Sequence, residues 1–187
     1  MASCETLPPG NKSKEIFGSG KNEDPASPKG GGSDLENQPS VTVDPRLPIS
    51  KLHAYKLRQS WKCVRRDLEQ TALDALISML RKKANYSSLM GLSPDRIGSG
   101  EFETMAMKMF SAVDECVNKA ADMDVQGLVD YAEEIKHESP FNEKGLIKDY
   151  QPAVLTAIKQ TLGDRYSDTM DSIYNLVIKF IVETMSH

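Results

Sequence analysis

From residue 51 to residue 185, apolar side chains recur every three to four positions. No stretch alternates with the period of two that a half-buried strand needs. A chain patterned this way has no segment from which to build a sheet, so its apolar stripes must be buried helix against helix. Leu57, Trp61 and Val64 stand at i, i+4 and i+7 of a first helix over 51–66. Asp67 with Gln70 reads as a capping box that opens a second helix, inward at Leu68, Ala72, Leu73, Leu76 and Leu80. A loop-rich stretch over 84–100 carries Gly91, Pro94, Gly98 and Gly100. The third helix, 101–120, has the stripe Phe102, Met105, Met109, Val113, Cys116 and Val117. Asp124 caps a shorter helix with Val125, Leu128, Val129, Ala132 and Ile135 inward, and Pro140 stops it by Ser139. Asn142 is the expected cap of the next helix, inward at Leu146, Ile147, Tyr150, Val154, Ile158 and Leu162. Pro152 within it predicts a kink or an altered start. Gly163 supplies the left-handed stop, and Ser167 opens a last helix striped by Met170, Ile173, Tyr174, Val177 and Ile181. The expectation is an all-α domain of six substantial helices with one irregular loop. No internal repeat is present, which excludes a solenoid.

The pattern stops abruptly toward the amino end. Residues 1–48 hold seven of the ten prolines and six of the twelve glycines, with Phe17 as their one aromatic. Such a segment cannot bury enough apolar surface to offset its ordering entropy, so 1–48 reads as a disordered tail and 49–187 as the folded domain. Charge does not point to nucleic acid: 23 basic against 27 acidic residues gives −4, shared evenly between tail and domain. No apolar run is long enough for a membrane span, and the first twenty residues hold no signal-peptide core. Cys4, Cys63 and Cys116 form no paired motif, which fits a reducing compartment and a cytoplasmic location. Gly18-Ser19-Gly20-Lys21 lacks the first glycine of a phosphate loop, the Ser/Thr after its lysine, and the flanking strand and helix.

Three places carry a resemblance. Leu57-Arg58-Gln59-Ser60-Trp61 is similar to the first-helix segment of neuroglobin-like and nematode globins. Leu162-Gly163-Asp164-Arg165-Tyr166, with Tyr174 after it, resembles the globin turn that precedes the last helix. His137, twenty residues after Val117, matches the spacing of the proximal histidine to that turn without a gap. The resemblance covers about 51–185 and implies a globin-like fold. Two departures accompany it. The distal position falls on Met105, where most globins carry His or Gln. The nearly universal corner phenylalanine falls on Met90 or Leu89. His53, His137 and His187 are the only histidines, so the third helix has no distal imidazole.

What the resemblance implies is haem b held by His137 on the iron, in an apolar slot with a cationic rim. The alternative for His137 is a surface histidine among Glu134, Lys136 and Glu138. Ligation needs a neutral ring whose other N–H donates to a fixed acceptor. Met105 is either core filler or a sixth iron ligand, and Met109 lies one turn further along the same stripe. Lys108 is either a propionate partner or an ordinary solvated lysine. Leu76, Met90, Phe141 and Ile147 are haem-wall residues by resemblance and serve equally well as core. Cys63 and Cys116 are expected to be buried, and Tyr86 to face solvent unless its loop folds inward. The function implied is binding of O₂ or another diatomic gas, with weak stabilisation of bound O₂ for want of a distal imidazole. Slow one-electron redox signalling with a protein partner goes with it. The rival is a haem-free globin-fold sensor or interaction module. A third reading is a peroxidase-like or superoxide-generating oxidoreductase; peroxide chemistry usually wants a distal acid–base group, which Met105 cannot supply, and no enzyme activity is indicated.

Overall fold

The amphipathic segments all become helices in the computed structural model, which describes residues 43–93 and 97–186. The expected tail over 1–42 and Pro94 lie outside the described residues. Helix α1 is Lys51–Arg66, entered through Ser50, whose hydroxyl accepts from the His53 N–H at 3.1 Å. Helix α2, Leu68–Lys82, follows after a single residue. The capping box expected at Asp67 does not form. Asp67 also ends α1, its N–H bonding the Val64 carbonyl, and its ψ of 33° is not the extended conformation from which a cap side chain folds back. The Thr71 hydroxyl closes that turn instead, donating to the Asp67 carbonyl at 2.8 Å.

A short α3, Asn85–Leu89, occupies part of the stretch expected to be loop; five residues are too few to show a helical period. Helix α4 is Gly100–Ala121. Helix α5, Val125–Ile135, is capped as expected: the Asp124 carboxylate accepts from the Gly127 N–H at 2.9 Å. Helix α6, Leu146–Leu162, begins four residues after the expected Asn142 cap. The intervening chain makes tight turns, Glu143 N–H to the Pro140 carbonyl and Leu146 N–H to that of Glu143. Gly145 at φ +82° then redirects it into the helix. Pro152 sits inside α6, where its ring leaves the Lys148 carbonyl without the usual i−4 donor. Gly163, at φ +52°, ends α6 and leads through a 3-10 turn, Gly163–Arg165, to α7, Asp168–Ser186. Ser167 caps α7, its hydroxyl accepting from the Met170 N–H at 3.4 Å.

Helix α2 lies against α6 and α4, α7 against α6 and α5, and α1 crosses α4, α6 and α7. Helices α2 and α6 run antiparallel. The Thr71 and Thr161 hydroxyls meet at 2.7 Å near one end, and Lys83 Nζ lies 3.4 Å from Asp149 Oδ2 near the other. One continuous apolar core results, and Leu47 and Ile49, ahead of α1, are part of it. At its α1 side Trp61 donates from Nε1 to Asp114 at 2.6 Å and stacks on Phe110, with ring centroids 6.1 Å apart.

Candidate functional site

The turn after α5, the start of α6 and the end of α7 enclose a cleft of about 460 Å³. His137 lines it from two residues beyond the last residue of α5, because Lys136 and His137 already form a turn. Phe141, Ile147 and Met185 give the cleft an apolar wall, and Lys136, Lys144 and Lys148 a cationic rim. The His137 side chain is exposed, and among the described residues nothing holds either ring nitrogen by a hydrogen bond or ion pair. The acceptor expected to fix its tautomer is therefore not formed by the described residues.

A second cleft, of about 410 Å³, opens beside the first turns of α4. Met90, Leu92, Met105 and Lys108 line it. Met105 is half-buried, while Met109, one turn on, is buried completely, as is Leu76 on α2. The expected site residues thus divide. Met90, Met105 and Lys108 share one cleft, and His137, Phe141 and Ile147 the other. Leu76 and Met109 are core. Among the described cavities none is lined by both His137 and Met105. One ion pair links the two sets. Lys108 Nζ lies 3.6 Å from Glu138 Oε2, and Glu138 is the neighbour of His137, while Lys108 follows Met105 by three residues. That contact ties α4 to the turn after α5. Both ends of the pair are about half exposed, so it contributes little to stability and is easily opened.

Two expectations are corrected. Tyr86 does not face solvent: α3 folds inward, and the buried phenol donates to Asp149 Oδ2 at 2.8 Å. Burial first, then the Asp149 carboxylate, holds its pKa above the ordinary value. Its hydroxyl is thereby committed to α6. Cys63 is only half-buried, with Arg165 Nη1 donating to Sγ at 3.3 Å. Cys116 is buried as expected, and burial pushes its thiol up to about 12.

A third feature went unread. Tyr150, on the inward stripe of α6, is buried, and its hydroxyl finds no hydrogen-bond partner among the described residues. The signal was available in the sequence, since a phenol at a stripe position brings a polar atom that a leucine would not.

No family model matches the chain, and no curated protein matches it. Among solved structures, it is similar to the crystal structure of a hexacoordinated heme protein from an anhydrobiotic tardigrade, determined at pH 4. The TM-score is 0.68 at 22% identity, covering 76% of this chain and 96% of that one. Likeness at that identity carries the fold alone: this is an all-α, globin-like domain. No described helix is long and apolar enough to cross a membrane.

Proposed function

We propose that this chain is a cytoplasmic haem protein of the neuroglobin-like and nematode globin type. In this reading His137 holds the iron of haem b, and the loaded protein binds O₂ or another diatomic gas. The observation that carries the reading is His137 itself, an exposed imidazole with no hydrogen-bond partner among the described residues, on a cleft with an apolar wall and a cationic rim. The tardigrade neighbour, described as a heme protein, supports it.

The residues present fit the group by their donor chemistry. The imidazole has no competing partner among the described residues, and it is a ligand that haem iron takes. A lone imidazole suits a metal that arrives with its other ligands in place. Phe141, Ile147 and Met90 are apolar walls, and the cations Lys108, Lys144 and Lys148 suit propionates. Met105 would be the residue available as a further ligand to the iron. When bound, haem supplies gas binding and one-electron redox chemistry. This chain's part would be to present the imidazole just after α5 and to exclude water with the core around Leu76 and Met109. Slow redox signalling to a protein partner belongs to the same reading.

The haem-free alternative has an observation of its own: Leu76 and Met109 are wholly buried, so that part of the interior is already filled. The absorption spectrum of the purified full chain, reconstituted with haemin, separates the two. A Soret band that disappears in His137→Ala, with the melting temperature unchanged because the ring is exposed, supports the haem reading. A wild-type chain with no Soret band overturns it in favour of the interaction module. In Met105→Leu, conversion of a six-coordinate ferrous spectrum to a five-coordinate one identifies Met105 as the second ligand.

A further inference from the structure

Charge is shared evenly between tail and domain, but not within the domain. Residues 51–66, which form α1, hold six basic side chains and no acidic one, whereas residues 67–187 hold twelve basic and twenty acidic. Helix α1 thus carries +6 on a domain whose remainder carries −8. Two of the six cations are explained locally. Arg58 donates to the Ala121 carbonyl and the Asp122 carboxylate, and Arg65 shares the Asp114 carboxylate with Trp61. Three others are not. Lys51 and Lys56 meet no acceptor among the described residues, and Lys62 reaches only the Gln59 amide oxygen, at 3.4 Å. Nor does the helix dipole account for Lys51, since its positive end favours acidic side chains in the first turn and α1 has none there. The same face exposes apolar surface. Leu57, Trp61 and Val64 take the buried stripe, so the opposite side of the cylinder presents Lys51, Leu52, Tyr55 and Lys62, with Lys56 at its edge. Leu52 is 60% exposed and Tyr55 57%, the two most exposed of the large apolar side chains described.

We propose that this face of α1 docks on an anionic phospholipid surface, with the lysines over the headgroups and Leu52 and Tyr55 set between them. A helix face is convex and seats on a flat surface, where long lysine stems lie beside the apolar tips. The recess along its edge, about 310 Å³ between Ala54, Tyr55 and Met123, suits an acidic peptide poorly. Asp122 lines it, and Arg58 is already committed to that carboxylate. The acidic remainder of the domain is repelled by the same lipid surface, so the charge split also fixes which side of the domain faces it. The cytoplasmic leaflet of a membrane supplies such lipid. Docking of this kind needs no haem and adds a location to the reading above.

The test is co-sedimentation of the purified full chain with vesicles of phosphatidylcholine and phosphatidylserine, against vesicles of phosphatidylcholine alone. The wild type is expected to pellet with the anionic vesicles only and to be released by salt. Each lysine near an anionic leaflet is worth about fivefold in affinity, so Lys51→Gln/Lys56→Gln/Lys62→Gln weakens binding about a hundredfold. Arg81→Gln/Lys82→Gln/Lys179→Gln removes as much charge from α2 and α7 and is expected to weaken it by less than about fivefold, since those side chains stay away from the lipid. Leu52→Ser/Tyr55→Ser weakens binding about tenfold and leaves its salt dependence unchanged. These side chains lie at or near the surface, so the melting temperatures stay close to that of the wild type. A wild type that stays in the supernatant overturns the proposal. An equal loss in the two triple variants also overturns it, because net charge alone then accounts for binding. Binding of the wild type to poly-glutamate but not to the anionic vesicles overturns it in favour of an acidic protein partner. Haem loading is read separately from the Soret band, so failure here leaves the haem reading standing.

Discussion

Trp61 shows how a single side chain joins packing to polarity. Its indole fills the space between α1 and α4, stacks on Phe110, meets Tyr174 at 6.0 Å and donates to the Asp114 carboxylate. Arg65 shares that carboxylate at 3.3 Å, so the charge is never left alone. In Trp61→Phe the stack is partly kept while the bond to a charged acceptor is lost. The expected loss is about 2–3 kcal/mol, read as a lower denaturant midpoint with unchanged slope. His137 and Tyr150 are the opposite kind of residue. The one is exposed and the other buried, neither has a hydrogen-bond partner among the described residues, and in neither case does the fold explain the polar group. Of the two, His137 lines a cleft and carries the functional reading, whereas Trp61 carries stability.

The helix starts teach the same lesson one level up. Asp67 and Asp124 both precede a helix in the sequence, and only Asp124 caps one. Asp67 is shared between two helices a single residue apart, and its backbone is set by the end of α1. Asp124 follows Met123 at φ +60°, a break that frees its side chain to reach the Gly127 N–H. Asp124→Ala is expected to cost about 1 kcal/mol by chemical denaturation, with Asp67→Ala close to neutral. Equal losses would mean that the two caps are equivalent in solution. Gly145 decides where α6 begins. Its positive φ needs glycine, and an added Cβ would stand 3.5 Å from the Tyr86 hydroxyl.

For the molecule as a whole, the buried Cys116 thiol, the buried Tyr174 phenol and the half-buried Tyr166 phenol set an alkaline limit. Burial raises Cys116 from 9.0 to about 12 and Tyr166 from 10.0 to about 12, and Tyr174 also rises. The folded state thus holds these protons more tightly than the unfolded chain does. Their stabilisation is complete below pH 9.0 and is lost as pH climbs toward about 12. Melting temperature is expected to fall across that window, and less steeply in Cys116→Val. A flat profile would show that the thiol and phenols are solvated. The sequence by itself determined the all-α class, because a period of 3.6 sustained over α1, α2, α4, α6 and α7 leaves one way to bury the apolar stripe. It also determined the cap at Asp124, the stop at Gly163 and the core role of Trp61, since these depend on neighbours a few residues away. Only the tertiary structure decided that Leu47 belongs to the core, although composition had drawn the boundary after residue 48. It alone turned Tyr86 inward to Asp149, set Lys108 against Glu138 and left the Tyr150 hydroxyl without a partner among the described residues. Each of these depends on which groups meet across elements far apart in the chain, and local periodicity carries no record of such encounters.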